Sequence, residues 1–170
     1  MLKDIIPQNC FVSNYISLLS DNESFSLFPY VKLKDIKNTS IFAGTCYINA
    51  YPCVLIVMNK DCKLGTMGYE SGENITRAFE IAIKKRLPII CVTASGGARV
   101  HDGVISLMQM SKTSGIVKKH SEKGLLYISI ITNPTLGGVA ASFASLADII
   151  IAEPDATYGF TGKRIVKETT

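Results

Sequence analysis

One local pattern, a buried strand followed by a Gly-Gly turn and a helix, occurs twice in this sequence and limits the folds open to the chain. Strands that alternate with helices are typical of an α/β domain with a largely parallel sheet. Short strands that are apolar throughout indicate a sheet that is buried on both faces. The two copies are the strand Leu87–Thr93, the pair Gly96-Gly97 and a helix over Gly103–Lys119, then the strand Leu126–Ile131, the pair Gly137-Gly138 and a helix over Val139–Leu146.

The remaining predicted elements flank these two copies. The β-rich runs Ile41–Ile48 and Cys53–Met58, separated by Asn49-Ala50-Tyr51-Pro52, predict a hairpin. Gly72–Arg86 has the apolar period of a helix, and Asp148–Ala152 is a further apolar strand. The apolar residues expected to face the core are Ile75, Ala78, Phe79, Ala82 and Ile83 in the first helix, and Ile105, Leu107, Met108, Met110 and Ile116 in the second.

The composition is that of a folded domain. Among 170 residues, 47% are hydrophobic and 19% are charged, which excludes an intrinsically disordered chain. We expect a poorly defined N-terminal segment over residues 1–40, in which Ile5–Leu19 can form a helix, and one α/β domain over residues 41–170. No apolar run approaches the roughly 18 residues of a membrane-spanning helix, and no signal peptide is recognised, so no membrane association is expected.

The net charge of +4 has two interpretations. It reflects either an ordinary solvated surface or a surface that attracts a polyanionic ligand such as a phosphorylated cofactor. Trp is absent and basic residues do not alternate with aromatic ones, so nucleic acid is not an expected partner.

The five cysteines contain no Cys-x-x-Cys pair, so neither a zinc ribbon nor a redox motif is indicated and no zinc is expected. An odd number of cysteines at irregular spacing suits the reducing cytoplasm, where we expect the protein to reside. Cys91 lies in an apolar run and is predicted to be buried.

The two glycine turns offer a chemistry that needs no side chain. Backbone N–H groups at the start of a helix have no intrahelical partner, and the helix dipole adds positive charge there. Two such turns at one edge of a sheet can direct two N–H groups at a single oxygen, which makes an oxyanion hole. The alternative interpretation is that both pairs only permit tight turns and close packing.

Side-chain catalysis is weakly indicated. His101 and His120 are the only histidines, and we interpret such lone histidines as surface residues. Asp148, Glu153 and Asp155 cluster near a strand end, where capping of backbone amides competes with acid–base catalysis as an interpretation.

Several long motifs resemble the β subunit of bacterial acetyl-CoA carboxylase carboxyltransferase. Weaker similarity extends back through Gly65–Gly68 and Ile75–Ala78 to about Ile41. The motifs that carry the resemblance are Ala94–Ser114, Tyr127–Ser129, Asn133–Phe143, Asp148–Pro154 and Gly159–Arg164.

The resemblance implies a crotonase-like fold, in which ββα units wind into a spiral. It further implies an acyl-CoA-binding chain in a hetero-oligomer with an α-type carboxyltransferase subunit and a biotin carboxyl carrier protein. Such an enzyme moves a carboxyl group from carboxybiotin to acetyl-CoA, through an enolate, and produces malonyl-CoA. Carried over by motif, the backbone groups that stabilise the enolate are those of Gly96, Gly97 and Ala98 in the first turn and Gly137, Gly138 and Val139 in the second.

Arg99, Lys112 and Arg164 are candidate ligands for the phosphates of CoA, or else solvated or ion-paired side chains. Relative to the family pattern, the N-terminal four-cysteine zinc ribbon and the C-terminal helices are lacking, which predicts a shortened subunit. His101-Asp102 replaces Gln-Glu, and Lys163 stands where the family usually has proline.

Two other functions stay open. One is decarboxylation of a malonyl thioester without biotin, which would use the same oxyanion hole. The other is a non-catalytic module that binds acyl-CoA or serves assembly.

Overall fold

The structure is a computed structural model that describes residues 6, 10–22, 24–30 and 38–162. Within these residues the chain forms four α-helices and seven β-strands. The helices are α1 (Phe11–Leu19), α2 (Tyr69–Lys85), α3 (Val104–Ser121) and α4 (Gly137–Ala140). The strands are β1 (Ser26–Leu27), β2 (Ile41–Ile48), β3 (Tyr51–Met58), β4 (Ile89–Ser95), β5 (Tyr127–Leu136), β6 (Ile149–Ala152) and β7 (Tyr158–Gly159).

All seven strands join one mixed sheet in the order β1-β2-β3-β4-β5-β6, with β7 paired to the end of β5. The first three strands are antiparallel, whereas β3, β4, β5 and β6 are parallel neighbours. The α/β class and the parallel arrangement of the repeated units are therefore as predicted. Because β4 and β5 are parallel and adjacent, the two glycine turns that follow them lie at the same edge of the sheet.

The β2–β3 hairpin turns more tightly than predicted, because Tyr51 and Pro52 already belong to β3. The turn consists of Asn49 and Ala50, which have φ of 50° and 65°. Two consecutive residues with positive φ match the right-handed twist of the strands that they join. The Asp21 carboxylate accepts both turn amides, from Asn49 at 2.9 Å and from Ala50 at 2.7 Å.

The core lies on both faces of the sheet, because alternate residues of a strand point to opposite sides. The side chains of Ile41, Val54 and Ile56 pack on the face that carries α2 and α3. Those of Phe42, Leu55 and Val57 pack on the other face with α1. Cys91 is fully buried in the first of these clusters, and burial raises the pKa of its thiol to about 12.

Helix α2 buries the predicted stripe, with Ile75, Ala78, Phe79 and Ala82 fully inside and Ile83 half-buried. The prediction for α3 is confirmed only at Ile116 and at the half-buried Met110. It is wrong for three residues, Ile105, Leu107 and Met108, which are 52%, 56% and 60% exposed.

The buried face of α3 carries polar residues instead, among them Ser106, Gln109 and Thr113. The reason lies in the facing helix, where Gly72 of α2 leaves room for the Gln109 side chain. A Cβ atom at Gly72 would lie only 2.2 Å from Gln109 Oε1.

Three further predictions are corrected. The edge strand β6 is not buried on both faces, since Ile149, Ile150 and Ile151 are 45–51% exposed. His120 is buried rather than at the surface, and its Nε2–H donates to the Leu87 carbonyl at 3.2 Å. The predicted helix over 139–146 is shorter, because α4 ends at Ala140 and a separate 3-10 turn covers Phe143–Ser145.

The N-terminal part contributes to the same sheet. β1 pairs with β2, and Val12 and Ile16 of α1 pack into the core. The predicted helix over Ile5–Leu19 is confirmed from Phe11 onward, and residues 1–5 and 7–9 lie outside the described part. The boundary between residues 40 and 41 stays a prediction. No described helix is both long and apolar enough to cross a bilayer.

Candidate active site at the two glycine turns

The two glycine turns touch each other through their backbones. A Cβ atom built on Gly97 would lie 3.2 Å from the Cα of Gly137 and 3.4 Å from the nitrogen of Gly138. One built on Gly138 would lie 3.1 Å from the Cβ of Ala98. Side chains are thus excluded where the turns meet, and the expectation that both turns lie together at one edge of the sheet is confirmed. That their N–H groups are directed at a single oxygen stays a prediction.

The first turn is held by the loop that precedes α2. The Gly96 amide donates to the Leu64 carbonyl at 2.9 Å, and the Met67 amide donates to the Gly97 carbonyl at 2.9 Å. Gly97 itself has φ +113°, which a residue with a side chain rarely adopts, and its amide donates to Ser95 Oγ at 3.0 Å.

The second turn is held by the residues that directly follow β7 and α4. The Gly137 amide donates to the Phe160 carbonyl at 3.1 Å, and the Gly137 carbonyl accepts the Ala141 amide at 2.9 Å. Ser142 Oγ donates to the Gly138 carbonyl at 2.6 Å. Gly137 has φ +54°, so it too occupies backbone space that favours glycine.

Three amides of the six predicted residues are left without an acceptor within the described part of the chain. Those of Gly96, Gly97 and Gly137 are engaged as above, whereas those of Ala98, Gly138 and Val139 make no hydrogen bond to another described residue. Gly138 and Val139 are buried and Ala98 is half-buried, and a backbone N–H group withdrawn from water without a partner costs free energy. These three groups are therefore the candidates for binding an oxygen of a ligand.

The directions of the Ala98 and Gly138 amides follow from the planarity of the peptide bond. In a trans peptide the C=O and N–H bonds point in opposite directions. Since Met67 holds the Gly97 carbonyl, the Ala98 N–H points away from Met67. Since Ala141 holds the Gly137 carbonyl, the Gly138 N–H points away from Ala141.

The expected contribution of helix dipoles is wrong for the first turn. Ala98 is followed by the extended Arg99 and by a 3-10 turn over Val100–Asp102, and α3 begins only at Val104. α4 does begin at the second turn but has only four residues. The positive character of the site therefore comes from the individual N–H groups rather than from long helices.

The three predicted phosphate ligands have different surroundings. The Arg99 guanidinium donates to the Thr66 carbonyl at 2.8 Å and to Ser40 Oγ at 3.2 Å, and it lies 3.7 Å from the Asp102 carboxylate. Lys112 forms an ion pair with Glu73 of α2. Arg164 lies outside the described residues. Contact of any of the three with CoA stays a prediction.

The carboxylates near β6 agree with the capping interpretation at one residue. Asp148 accepts the Tyr127 backbone amide at 2.8 Å, whereas Glu153 accepts the Tyr15 side-chain hydroxyl. Asp148 precedes β6, whereas Glu153 and Asp155 follow it, so the three do not lie at one strand end. Over the described ranges no group of three or more His, Cys, Asp or Glu side chains is placed to hold a metal ion.

Sequence reasoning missed two parts of the site. Ser95 was interpreted only as part of a motif, although a hydroxyl two residues before a glycine amide is a common way of fixing a turn. The hydrogen bond from the Gly137 amide to the Phe160 carbonyl was missed because it depends on the pairing of β7 with β5. These strands are more than twenty residues apart, and no local pattern indicates that pairing.

The family model that matches this chain is described as a carboxyl transferase domain and covers residues 19–170. Acetyl-coenzyme A carboxylase carboxyl transferase subunit beta of Alkaliphilus oremlandii is 53% identical over 134 residues, which is 79% of this chain and 49% of that protein. Subunit beta 1 of Lachnospira eligens is 44% identical, over 92% of this chain and 68% of that protein. The chain spans about half the length of most of the curated relatives it matches.

Solved structures confirm the crotonase-like fold. Transcarboxylase 12S with hydrolyzed methylmalonyl-coenzyme A bound has a TM-score of 0.80 and 25% identity, over 93% of this chain and 32% of that one. A Pseudomonas malonate decarboxylase hetero-tetramer in complex with malonate has a TM-score of 0.79 and 17% identity, over 94% of this chain and 63% of that one, and shows the fold alone. By family model, relatives and fold together, the chain belongs to the carboxyl transferase domain family.

Proposed function

We propose that this chain is a β-type carboxyltransferase subunit that stabilises the enolate of acetyl-CoA while the thioester accepts a carboxyl group from carboxybiotin and becomes malonyl-CoA. The observation that carries the proposal is the contact between two turns that leave the amides of Ala98 and Gly138 unpaired. The similarity to acetyl-CoA carboxylase β subunits supports the choice of acetyl-CoA as the acceptor.

The reaction requires that negative charge be stabilised on the thioester oxygen. When the methyl group of the thioester loses a proton, negative charge moves to the thioester oxygen. The N–H groups of Ala98 and Gly138 would donate to that oxygen, and each is held in place before the substrate arrives. One such donor typically contributes about 3 kcal/mol to the transition state. Carboxybiotin, delivered on its carrier protein, would supply the carboxyl group, and the biotin nitrogen that releases this group would take up the proton lost by the methyl group.

The surface beside the first turn supports the proposal that an α-type subunit and a biotin carrier complete the site. Val100, Val104, Ile105, Leu107 and Met108 follow the turn and are all more than half exposed. Several exposed apolar side chains this close together in sequence, four of them on α3, are typical of a protein–protein interface. The hetero-oligomer, the identity of both partners and a cytoplasmic location are parts of this proposal.

The function is tested by co-purification and by the reverse reaction. The chain is isolated from its native source with bound proteins, which are identified by mass spectrometry. The complex, separated from any biotinylated carrier protein, is then given malonyl-CoA with or without free biotin. We expect an α-type carboxyltransferase subunit to co-purify and acetyl-CoA to form only when biotin is present.

Other outcomes separate the alternatives. Biotin-independent release of carbon dioxide from malonyl-CoA by the chain alone would support the decarboxylase instead. Tight acyl-CoA binding without turnover, in the presence of every co-purified partner, would contradict both reactions and favour the non-catalytic module.

A further inference from the structure

A group of buried hydroxyl side chains joins the ends of β4 and β5 directly behind the two glycine turns. Thr93, Ser95, Thr132 and Thr135 are all fully buried. Burying a hydroxyl is unfavourable unless it is hydrogen-bonded. All four are satisfied: the three threonines bond to one another and to strand carbonyls, and the Ser95 hydroxyl bonds to the adjoining turn.

The three threonines connect the two strands where their ladder is irregular. Thr132 Oγ1 donates to the Thr93 carbonyl at 2.7 Å, and Thr135 Oγ1 lies 2.9 Å from the same carbonyl. The register between β4 and β5 shifts between Thr93 and Ser95, and Ser95 is then paired with Thr135. Side-chain hydroxyls thus replace ladder contacts at the point where the strands lead into the turns.

Ser95 is the member of this group that touches the first turn, and its hydroxyl bonds to Gly97 rather than to the threonines. Its Oγ accepts the Gly97 amide at 3.0 Å, and it lies 3.4 Å from the Gly97 carbonyl oxygen. The hydrogen bond fixes the nitrogen side of Gly97, a residue held at φ +113°. The next peptide unit carries the unpaired amide of Ala98, so the orientation of that amide depends on the conformation at Gly97.

We propose that Ser95 is a positioning residue, whose hydroxyl holds Gly97 so that the Ala98 amide is aimed at the substrate oxygen. This inference rests on the proposed function, because it assigns Ser95 to the enolate-stabilising site. Ser95 does not touch the substrate, and it acts by keeping one donor in a single direction. A displacement of a donor by about 1 Å is enough to lower a rate roughly 100-fold.

The test compares three single variants of the complex with its carboxyltransferase partner. Ser95→Ala removes the acceptor, and Ser95→Cys keeps a similar volume but a weaker acceptor. Ser129→Ala is the matched control, because Ser129 is also fully buried, lies on the neighbouring strand β5, and its hydroxyl makes no hydrogen bond to either glycine turn. For each variant kcat, the Kd for acetyl-CoA and the melting temperature are measured.

We expect Ser129→Ala to match the wild type in kcat and in Kd. Ser95→Ala should lower kcat by roughly 30-fold to 100-fold with Kd changed by less than about threefold, and Ser95→Cys should fall between them. A lower kcat with a nearly unchanged Kd distinguishes a positioning role from a structural one. A purely structural role would lower the melting temperature without lowering the kcat of the folded fraction.

A kcat of Ser95→Ala within threefold of Ser129→Ala would overturn the proposal, as would a loss that lies entirely in Kd. If Ser95→Ala does not fold, Ser95→Cys decides by the same criteria: a kcat at least fivefold lower supports the proposal, and a smaller change contradicts it. An inactive wild-type complex would instead contradict the proposed function, so the two failures are distinguishable.

Discussion

The two glycine turns share a sequence signature but present their free amides differently. In the first turn both glycine amides are engaged, and the free donor is that of Ala98, which follows them. In the second turn, among contacts with the described residues, only the Gly137 amide is engaged, and those of Gly138 and Val139 are free. A Gly-Gly pair therefore indicates where the two turns can approach each other closely. Which N–H group is available is decided by the neighbouring segments, because they bind the carbonyl of the same peptide and so fix its direction.

The largest effect is expected at the second turn, where a glycine itself carries the free amide. Gly138→Val would place side-chain atoms against Ala98 and Met110, since even a Cβ atom lies 3.1 Å from Ala98 Cβ and 2.9 Å from Met110 Sδ. We expect carboxyl transfer to fall by a factor of roughly 10³. Enzyme assays measure the loss, and circular dichroism checks that the chain still folds.

A matched control for this variant is Gly115→Val on α3, where a Cβ atom meets nothing within 4 Å. Because valine has a higher helix propensity than glycine, this variant should fold at least as stably as the wild type and keep its activity within about threefold. Full activity in Gly138→Val would remove Gly138 from the proposed site.

The first turn allows a comparison between two adjacent glycines. Gly97 has φ +113° and a Cβ atom there would lie 3.2–3.4 Å from the backbone of the second turn, so Gly97→Ala must displace one turn. At Gly96 the nearest atom to a new Cβ is 3.7 Å away, which is ordinary contact. We expect Gly97→Ala to lower kcat about 100-fold and Gly96→Ala less than about threefold. Equal rates in the two variants would show that the space between the turns does not matter.

Among the described residues, an arginine side chain supports only the first turn, through the hydrogen bonds of Arg99 to Thr66 and Ser40. Substitution of Arg99 is expected to have a smaller effect than the glycine variants. Lys cannot reproduce the hydrogen bonds that the Arg99 guanidinium donates to Thr66 and Ser40, so Arg99→Lys should lower the free energy of unfolding by about 2 kcal/mol. Denaturant titration measures this, and isothermal titration should find an unchanged Kd for acetyl-CoA. An unchanged stability together with a Kd weakened about tenfold would instead make Arg99 a phosphate ligand.

The smallest effect is expected in the turn between β2 and β3. A substitution there measures how much glycine contributes to stability at a residue with positive φ. Ala50 has φ +65° without being glycine, a conformation that costs a residue with a side chain about 1–2 kcal/mol. Part of that is offset because glycine is more flexible in the unfolded chain. Ala50→Gly should therefore stabilise the protein by about 0.5–1 kcal/mol, measured by thermal unfolding. A lower melting temperature would show that Ala50 is not strained.

The sheet could be predicted from the sequence because its strands are marked locally. Apolar runs and intervening turns indicate β2, β3, β4 and β5 and the hairpin, and the regular spacing of Ile75, Ala78, Phe79 and Ala82 indicates α2. The contact between the two glycine turns was also foreseeable, because parallel neighbours end at the same edge.

The wrong predictions concern residues whose burial or hydrogen bonding depends on contacts that no local sequence pattern shows. The apolar residues Ile105, Leu107 and Met108 face outward because Gly72 on α2 accommodates Gln109 instead. Likewise, the amide of Gly97 was expected to be free, and only the structure places Ser95 Oγ on it. Periodicity reports which residues are apolar, but the facing element decides which of them are buried.

The most direct test of the central claim is the carbonyl stretching frequency of acetyl-CoA, labelled with ¹³C at the thioester, when it is bound to the complex. Hydrogen bonds from both the Ala98 and the Gly138 amides would polarise the C=O bond, so infrared difference spectra should show a lower frequency than in water. In the Gly138→Val variant, at saturating ligand, the frequency should return toward the value in water. A bound thioester whose frequency equals that in water, in the wild type, would contradict the account.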